Sequence, residues 1–199
     1  MRETLKAAAR LLAALVAAPA VVSYRIRSLA MGPHRALEGS SQLLALLPGL
    51  SGQYVRRAFL SRVLAHCDST ATIEFGAIFS DARARIDARA YVGPRCALGY
   101  VHLEQDVLLG PAVSIPSGAN THGTQRLDVP IREQTGTKQL VRIGAGSWVG
   151  GSAVVMADVG RDVIVGAGAV VTRQVPDAVV VAGVPARVVR QRAERPVAV

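Results

Sequence analysis

From Ile73 onward the chain keeps a six-residue rhythm, a period that fits neither a helix nor an ordinary long strand. An aliphatic residue opens each unit and a small or slim residue stands four positions later. Ile86 is followed in this way by Ala90, Val92 by Cys96, Leu103 by Val107, Leu109 by Val113 and Ile115 by Ala119. After a break, Ile143 is followed by Ser147, Val149 by Ala153, Val159 by Val163, Val165 by Ala169 and Val171 by Val175. The register slips near Phe79–Ile86, Leu98–Leu103 and Val155–Val159. Six residues are enough for one short strand and one turn, the face of a three-sided prism. Three faces make a coil, and successive coils stack through parallel hydrogen bonds. Both repeating positions then point inward, the second into a slot that admits only a slim side chain. Glycines follow the opening aliphatic at 93, 110, 144, 150, 160 and 166, where they are expected to permit tight turns. The composition agrees, because aromatic residues make up only 4% of the 199 and leave narrow layers of Val, Ala and Gly to fill the interior.

The two cysteines, Cys67 and Cys96, are too few for a disulfide scaffold or a Cys-only zinc site. Cys96 occupies a slim inward slot and reads as a packed hydrophobe. Four scattered histidines, His34, His66, His102 and His122, show no metal-ligand spacing, so no metal is expected. His102, in a register slip, reads as a surface residue, and His34 and His66 lie outside the repeat.

Three runs, IGAGSWVGGSAVV, VGAGAVVTRQVPD and VVVAGVPARVVR, close the repeat between Ile143 and Arg190. With them the stretch Ile73–Arg190 resembles the hexapeptide-repeat acyltransferases. It is similar to the sugar, maltose and galactoside O-acetyltransferases, and most of all to the capsule and exopolysaccharide enzymes, whose loop ends in a similar Pro130-Ile-Arg-Glu-Gln134. The resemblance implies a mainly β fold, a left-handed parallel β-helix of hexapeptide repeats with an N-terminal helical segment. It implies a homotrimer and acetyl-CoA as co-substrate. It also implies transfer of the acetyl group to a hydroxyl of a sugar or of a glycan or glycolipid precursor, as in polysaccharide O-acetylation; the basic, apolar N-terminus adds a lipid-linked sugar to the small-molecule acceptors expected.

The rhythm stops after Ala119 and resumes at Ile143. A long polar excursion from a rigid column is usually functional. Direct attack of a hydroxyl on a thioester needs a base that takes the hydroxyl proton, and imidazole suits neutral pH. The family places a histidine in this loop, and His122 matches it. Asn120, Asp128 and Arg132 are candidate acceptor contacts; Asn120 could equally hydrogen-bond along the coil, and Asp128 and Arg132 could belong to a solvated loop face. The family's coenzyme positions fall on Gly151, Ala167, Thr172, Arg173, Arg187 and Arg190, with Trp148 beside the pantetheine slot or at the trimer seam. Arginine suits phosphate through paired donors. The strings Gly144-Ala-Gly146 and Gly166-Ala-Gly168 are no dinucleotide fingerprint, since no βαβ unit surrounds them.

Residues 1–70 form a separate segment, 71–190 the repeat domain and 191–199 a tail expected to fray. Residues 1–66 hold nine Lys/Arg against two Asp/Glu, whereas residues 67–199 hold fourteen against twelve, so the net charge of +9 is concentrated as +7 in the first third. No aromatic-interleaved basic patch points to nucleic acid. Leu11–Tyr24 is uncharged and helical in composition, with Pro19 a kink, and its fourteen residues fall short of the roughly 20 needed to span a bilayer. Ala17-Ala18-Pro19-Ala20 would suit signal cleavage. Basic residues on both sides favour a segment at the cytoplasmic face of a membrane instead. A second apolar stretch covers Gln42–Leu50, and Gln53–His66 reads as a helix with Arg56, Arg57 and Arg62 on its polar side. A helical cap over the column's end is the other reading of this segment. The alternatives for the whole chain are an N-acyltransferase on an amino sugar and a non-catalytic β-helix scaffold.

Overall fold

The computed structural model describes residues 2–192; most of the expected tail, from residue 193 on, lies outside the described residues. Three helices, α1 (Arg2–Met31), α2 (Pro33–Ala45) and α3 (Gly49–Val63), precede the column. Its first coil is β1 (His66–Cys67), β2 (Thr72–Ile73) and β3 (Ile78–Phe79). The second is β4 (Arg85–Ile86), β5 (Tyr91–Val92) and β6 (Ala97–Leu98), and the third is β7 (Val101–Leu103), β8 (Leu108–Leu109) and β9 (Ser114–Ile115). The fourth is β10 (Val141–Ile143), β11 (Trp148–Val149) and β12 (Val154–Val155). The fifth opens on a bridge at Val159 and continues as β13 (Ile164–Val165) and β14 (Val170–Val171). The last runs from Val175 into β15 (Val179–Ala182), after which the chain reverses into β16 (Arg187–Gln191), antiparallel to β15. Every other strand pair is parallel, in three sheets β1-β4-β7-β10, β2-β5-β8-β11-β13-β15 and β3-β6-β9-β12-β14. The protein is a three-sided parallel β-solenoid.

Both repeating positions face inward. Ile86, Val92, Leu103, Leu109, Ile143 and Val149 are fully buried, and so are the slim partners Ala90, Cys96, Val107, Val113, Ala153 and Ala169. Ser147, the polar member of that set, donates its hydroxyl to Gly160 O at 2.8 Å and accepts from Val163 N at 3.0 Å, which removes the cost of burying it. Ala119 departs from the pattern, because the column ends its third coil at Ile115 and Ala119 is already exposed.

The reason for the glycines needs correcting. None of Gly93, Gly110, Gly144, Gly150, Gly160 and Gly166 has a positive φ; the left-handed residue stands two positions later, as Arg95, Ala112, Gly146, Ser152, Asp162 or Gly168. What these glycines provide is closeness. A Cβ on Gly93 would lie 2.6 Å from Leu109 O, on Gly144 2.5 Å from Gly160 C, and on Gly150 2.5 Å from Ala167 N. The next coil's backbone occupies the space a side chain would need.

The helices seal the first coil. Its outward amides Gly76 N and Phe79 N donate to Ala45 O (2.9 Å) and Ser41 Oγ (2.8 Å) of α2. Its carbonyls Ile73 O and Ala71 O accept from Arg56 Nε (3.1 Å) and Arg57 Nη1 (2.9 Å) of α3. Arg56 is thus not on a polar helix face but almost completely buried. Its guanidinium also reaches Leu47 O, just past the end of α2, and Leu44 O, which accepts from Leu47 N as well. Burial lowers its pKa from the usual arginine value, partly offset by Glu74. α1 runs unbroken through Pro19 and packs Ala13, Ala17, Val21 and Tyr24 inward, with the Tyr24 ring edge-on to Phe59 at 6.1 Å.

Gly144→Ala is expected to destabilise the column by about 1–3 kcal/mol, since backbone cannot yield as a side chain does. Gly168→Ala, whose Cβ meets nothing and whose turn position holds Ala112 in another coil, should cost about 1 kcal/mol. Urea unfolding of both variants measures the difference.

Candidate active site

The buried aliphatics show where the column is regular and where it is not. From first face to second and from second to third the spacing is always six: Cys67, Ile73, Phe79; Ile86, Val92, Leu98; Leu103, Leu109, Ile115; Ile143, Val149, Val155; Val159, Val165, Val171. All irregularity falls at the remaining corner. There the steps are 79 to 86, 98 to 103, 115 to 143, 155 to 159 and 171 to 175. The register slips and the long excursion are therefore one feature, a single edge of the prism freed from the repeat.

The excursion leaves this edge after Ile115 and returns at Val141 as a narrow two-armed loop. Gln139 N donates to Ser117 O at 2.8 Å, Thr137 N to Asn120 O at 2.7 Å and Gly123 N to Gln134 O at 3.3 Å, and His122 forms an antiparallel bridge with Thr135. The arms touch closely at His122. A Cβ on Gly136 would lie 2.4 Å from His122 N and 2.3 Å from Thr121 O. The backbone at 122 is therefore held while its side chain is exposed and has no hydrogen-bond or ionic partner among the described residues.

Gln134 pins the loop tip. Its amide accepts from Arg126 N (3.0 Å) and donates to Arg126 O (2.7 Å) and Val129 O (2.8 Å). Asp128 pairs with Arg126, whose hydrogen bonds hold its carboxyl below the usual range, and Arg132 contacts Glu133 at 3.5 Å. Asp128 and Arg132 thus have partners within the loop, whereas Asn120 is bound through its carbonyl and its side chain is exposed.

The loop's root is tied to the helices by an acidic group the sequence did not reveal. Asp81, fully buried at the same edge, accepts from Arg83 (2.8 and 3.0 Å), lies 3.2 Å from His34 Nδ1 of α2 and 3.7 Å from Lys138 Nζ of the loop. The Arg83 guanidinium covers the Tyr100 ring at 4.0 Å. Burial alone would raise the Asp81 pKa, but the Arg83 hydrogen bonds and the charges of His34 and Arg83 outweigh it and lower it. The only signal in the sequence would have been an Asp-x-Arg pair at a slip. His102, expected as a surface residue, is instead half-buried, with Nε2 2.8 Å from Asp87 Oδ2. Neither thiol is poised for chemistry: burial pushes Cys67 up to about 12 and Cys96 up to about 11.

The expected coenzyme residues are spread over the last coils. Gly151 and Ala167 stack at the corner between the second and third faces, with Gly168 N donating to Gly151 O at 2.9 Å. Thr172 and Arg173 are exposed at the irregular edge, two coils beyond the loop. Trp148, 50% exposed, stands on the second face between Leu108 and Ile164. Arg187 and Arg190 lie on β16, their guanidinium groups reaching, among the described residues, the neighbouring carbonyls Ala186 O and Gln191 O. One chain thus places Thr172–Arg173 on the same irregular edge as His122 but two coils away, and holds Gly151–Ala167 at another corner and Arg187 and Arg190 on β16 beside the second face.

No protein-family model matches the chain. Over 73 residues it is 36% identical to "Probable acetyltransferase Rv3034c" of Mycobacterium tuberculosis, covering 36% of this chain and 24% of that protein, so it spans about a quarter of that relative's length. A maltose O-acetyltransferase from Clostridium difficile 630 superposes with a TM-score of 0.68 at 19% identity, over 81% of this chain and 89% of that one. The hexapeptide-repeat containing acetyltransferase VCA0836 from Vibrio cholerae gives 0.65 at 18% identity, over 81% and 93%. The S84A mutant of AntD, an N-acyltransferase from Bacillus cereus, in complex with dTDP-4-amino-4,6-dideoxyglucose and coenzyme A, gives 0.54 at 16% identity, over 62% and 71%. These likenesses are of fold: the chain has the architecture of the hexapeptide-repeat acetyltransferases.

Two outcomes test the loop's construction. Gln134→Ala removes all three contacts at the tip, and trypsin should then cut after Arg126 or Arg132 several-fold faster than in the parent protein. Because Asp81 has a depressed pKa in the fold, its contribution is present above the unfolded value of about 3.9 and is lost as pH falls through the lower folded value. Asp81→Asn should lower the melting temperature at pH 7 and flatten its decline below about pH 4, read by calorimetry across pH.

Proposed function

We propose that this chain is an acetyl-CoA-dependent acetyltransferase that acetylates a hydroxyl of a sugar or glycan, with His122 as general base. The observation that carries the reading is the excursion itself: a rigid column releases one loop, pins its backbone at a histidine, and leaves that imidazole without an internal partner. In the reaction the imidazole takes the acceptor's hydroxyl proton as the oxygen attacks the thioester carbonyl. The coenzyme thiolate leaves and receives that proton, so the products are the acetyl ester and free coenzyme A. A backbone N–H along the groove would carry the developing negative charge.

The separation of the candidate residues over several edges supports an assembly in which neighbouring columns complete the site. A homotrimer would set the loop of one copy against the Gly151–Ala167 corner of the next. That flat corner admits an apolar pantetheine arm, and Arg173, Arg187 and Arg190 suit the phosphates. Asn120 has an exposed side chain for the acceptor, whereas Asp128 and Arg132 would have to leave their partners Arg126 and Glu133. Transfer to the amine of an amino sugar, as the ligand of the AntD complex suggests for that protein, is the second reading. The fuller coverage of the maltose O-acetyltransferase favours the hydroxyl.

His122→Ala should lower thiol release from acetyl-CoA, with a panel of sugar and amino-sugar acceptors, by about 10²–10⁴-fold. Its thermal unfolding should match the parent's, since the exposed ring has no partner to lose. Full turnover in the variant would remove the base assignment, and a response to amines alone would favour the second reading.

A further inference from the structure

Acetyl transfer makes no use of the outer half of α1. Placed at 100° per residue, Ala13, Ala17, Val21 and Tyr24 share the inner face against α3 and α2, and Leu11, Leu15, Val22, Ile26 and Leu29 share the opposite one. That outer face is open: Leu11 is 65% exposed, Leu15 and Ile26 64%, and Leu29 90%. It runs about 27 Å along the helix at 1.5 Å per residue. At its side, Leu12 and Val16 face Leu47, Pro48 and Leu50 of the α2–α3 turn across an apolar groove of about 690 Å³. Leu50 on the groove's wall is itself 67% exposed, and Leu43 and Leu46, at the end of α2 and in the turn, are exposed as well. Arg10 and Arg25 are exposed along α1, and Arg27 at its flank is held by Ser40 of α2.

We propose that this surface lies flat in the headgroup region of an anionic bilayer, with the axis of α1 parallel to the membrane and the Leu46–Leu50 turn dipping into it. Two properties select this occupant. First, α1 from Ala7 to Met31 is long and apolar enough to cross a membrane. Its inner face, however, is bound along its length to α3, which carries Arg56, Arg57 and Arg62 and is fastened to the first coil. A spanning α1 would either strip off those contacts or draw the arginines into hydrocarbon. Lying in the plane keeps both. Second, the segment holding this face has nine basic residues against two acidic ones, and although Arg56 and Arg57 are bound to the first coil, Arg10, Arg25, Arg35 and Arg62 are exposed. Two copies meeting through α1 would bring like charges together, whereas anionic headgroups would complement them. The inference is independent of the acetyl-transfer reading.

The test uses the full chain and flotation with vesicles of phosphatidylcholine alone or with phosphatidylglycerol added. The parent protein should float with the anionic vesicles, weakly with the neutral ones, and less at 0.5 M NaCl or as the Arg10→Gln/Arg25→Gln variant. Leu15→Glu/Ile26→Glu, on side chains already facing solvent, should reduce binding at least tenfold with an unchanged melting temperature. No flotation, equal flotation of that double variant, or lipid-free oligomers that it dissolves would each overturn the proposal. So would protein from cells that resists alkaline carbonate extraction, the mark of a spanning helix, or whose intact mass lacks residues 1–20.

Discussion

The distance between stacked coils governs the whole molecule. Parallel hydrogen bonds on three faces draw each coil onto the next at the spacing of neighbouring strands, roughly 4.8 Å. At the corners this leaves no room for a Cβ where Gly93, Gly144 and Gly150 sit. The turns accommodate the same closeness by sending the residue two places on into a left-handed conformation, even where that residue is Arg95 or Asp162. Inward slots narrowed to Ala, Val or Cys follow from the same geometry, since a prism of such short faces has a thin interior.

A column so constrained can vary only where the chain steps out of it, and it does so at one corner. Four of the five steps there are short, and the fifth contains the excursion with His122. Concentrating freedom on one edge keeps the loop's two roots at fixed places in adjacent coils. Asp81 links that edge to α2 through His34 and to the loop through Lys138. The helical segment is thus in contact with the candidate site's support as well as with the end of the column.

Much of this was legible in the residues themselves. The six-residue spacing revealed the inward positions because burial in a prism depends only on local sequence order. The long interruption marked the loop for the same reason. What could not be read were contacts made across coils or between the helices and the column. Arg56 looks like one more basic residue of an amphipathic helix until the carbonyls of Leu44, Leu47 and Ile73 converge on it. His102 and Asp87 lie fifteen positions apart and meet because they occupy adjacent coils. The glycines were recognised by position but for the wrong cause, since neither the sign of φ nor the approach of another coil is written in a dipeptide. Gln134 and Gly136, which shape the ground around His122, stand in a stretch with no periodicity to betray them.

A stack of parallel coils has two raw ends, and each is a template on which another such stack could continue indefinitely. Here both are finished. At one end α2 and α3 supply acceptors to Gly76 N and Phe79 N and donors to Ala71 O and Ile73 O. At the other, β16 pairs with β15 in the opposite direction and presents Arg187 and Arg190 outward. A further parallel coil would have to stack where the helices already stand at one end and where the arginine-bearing β16 runs the opposite way at the other.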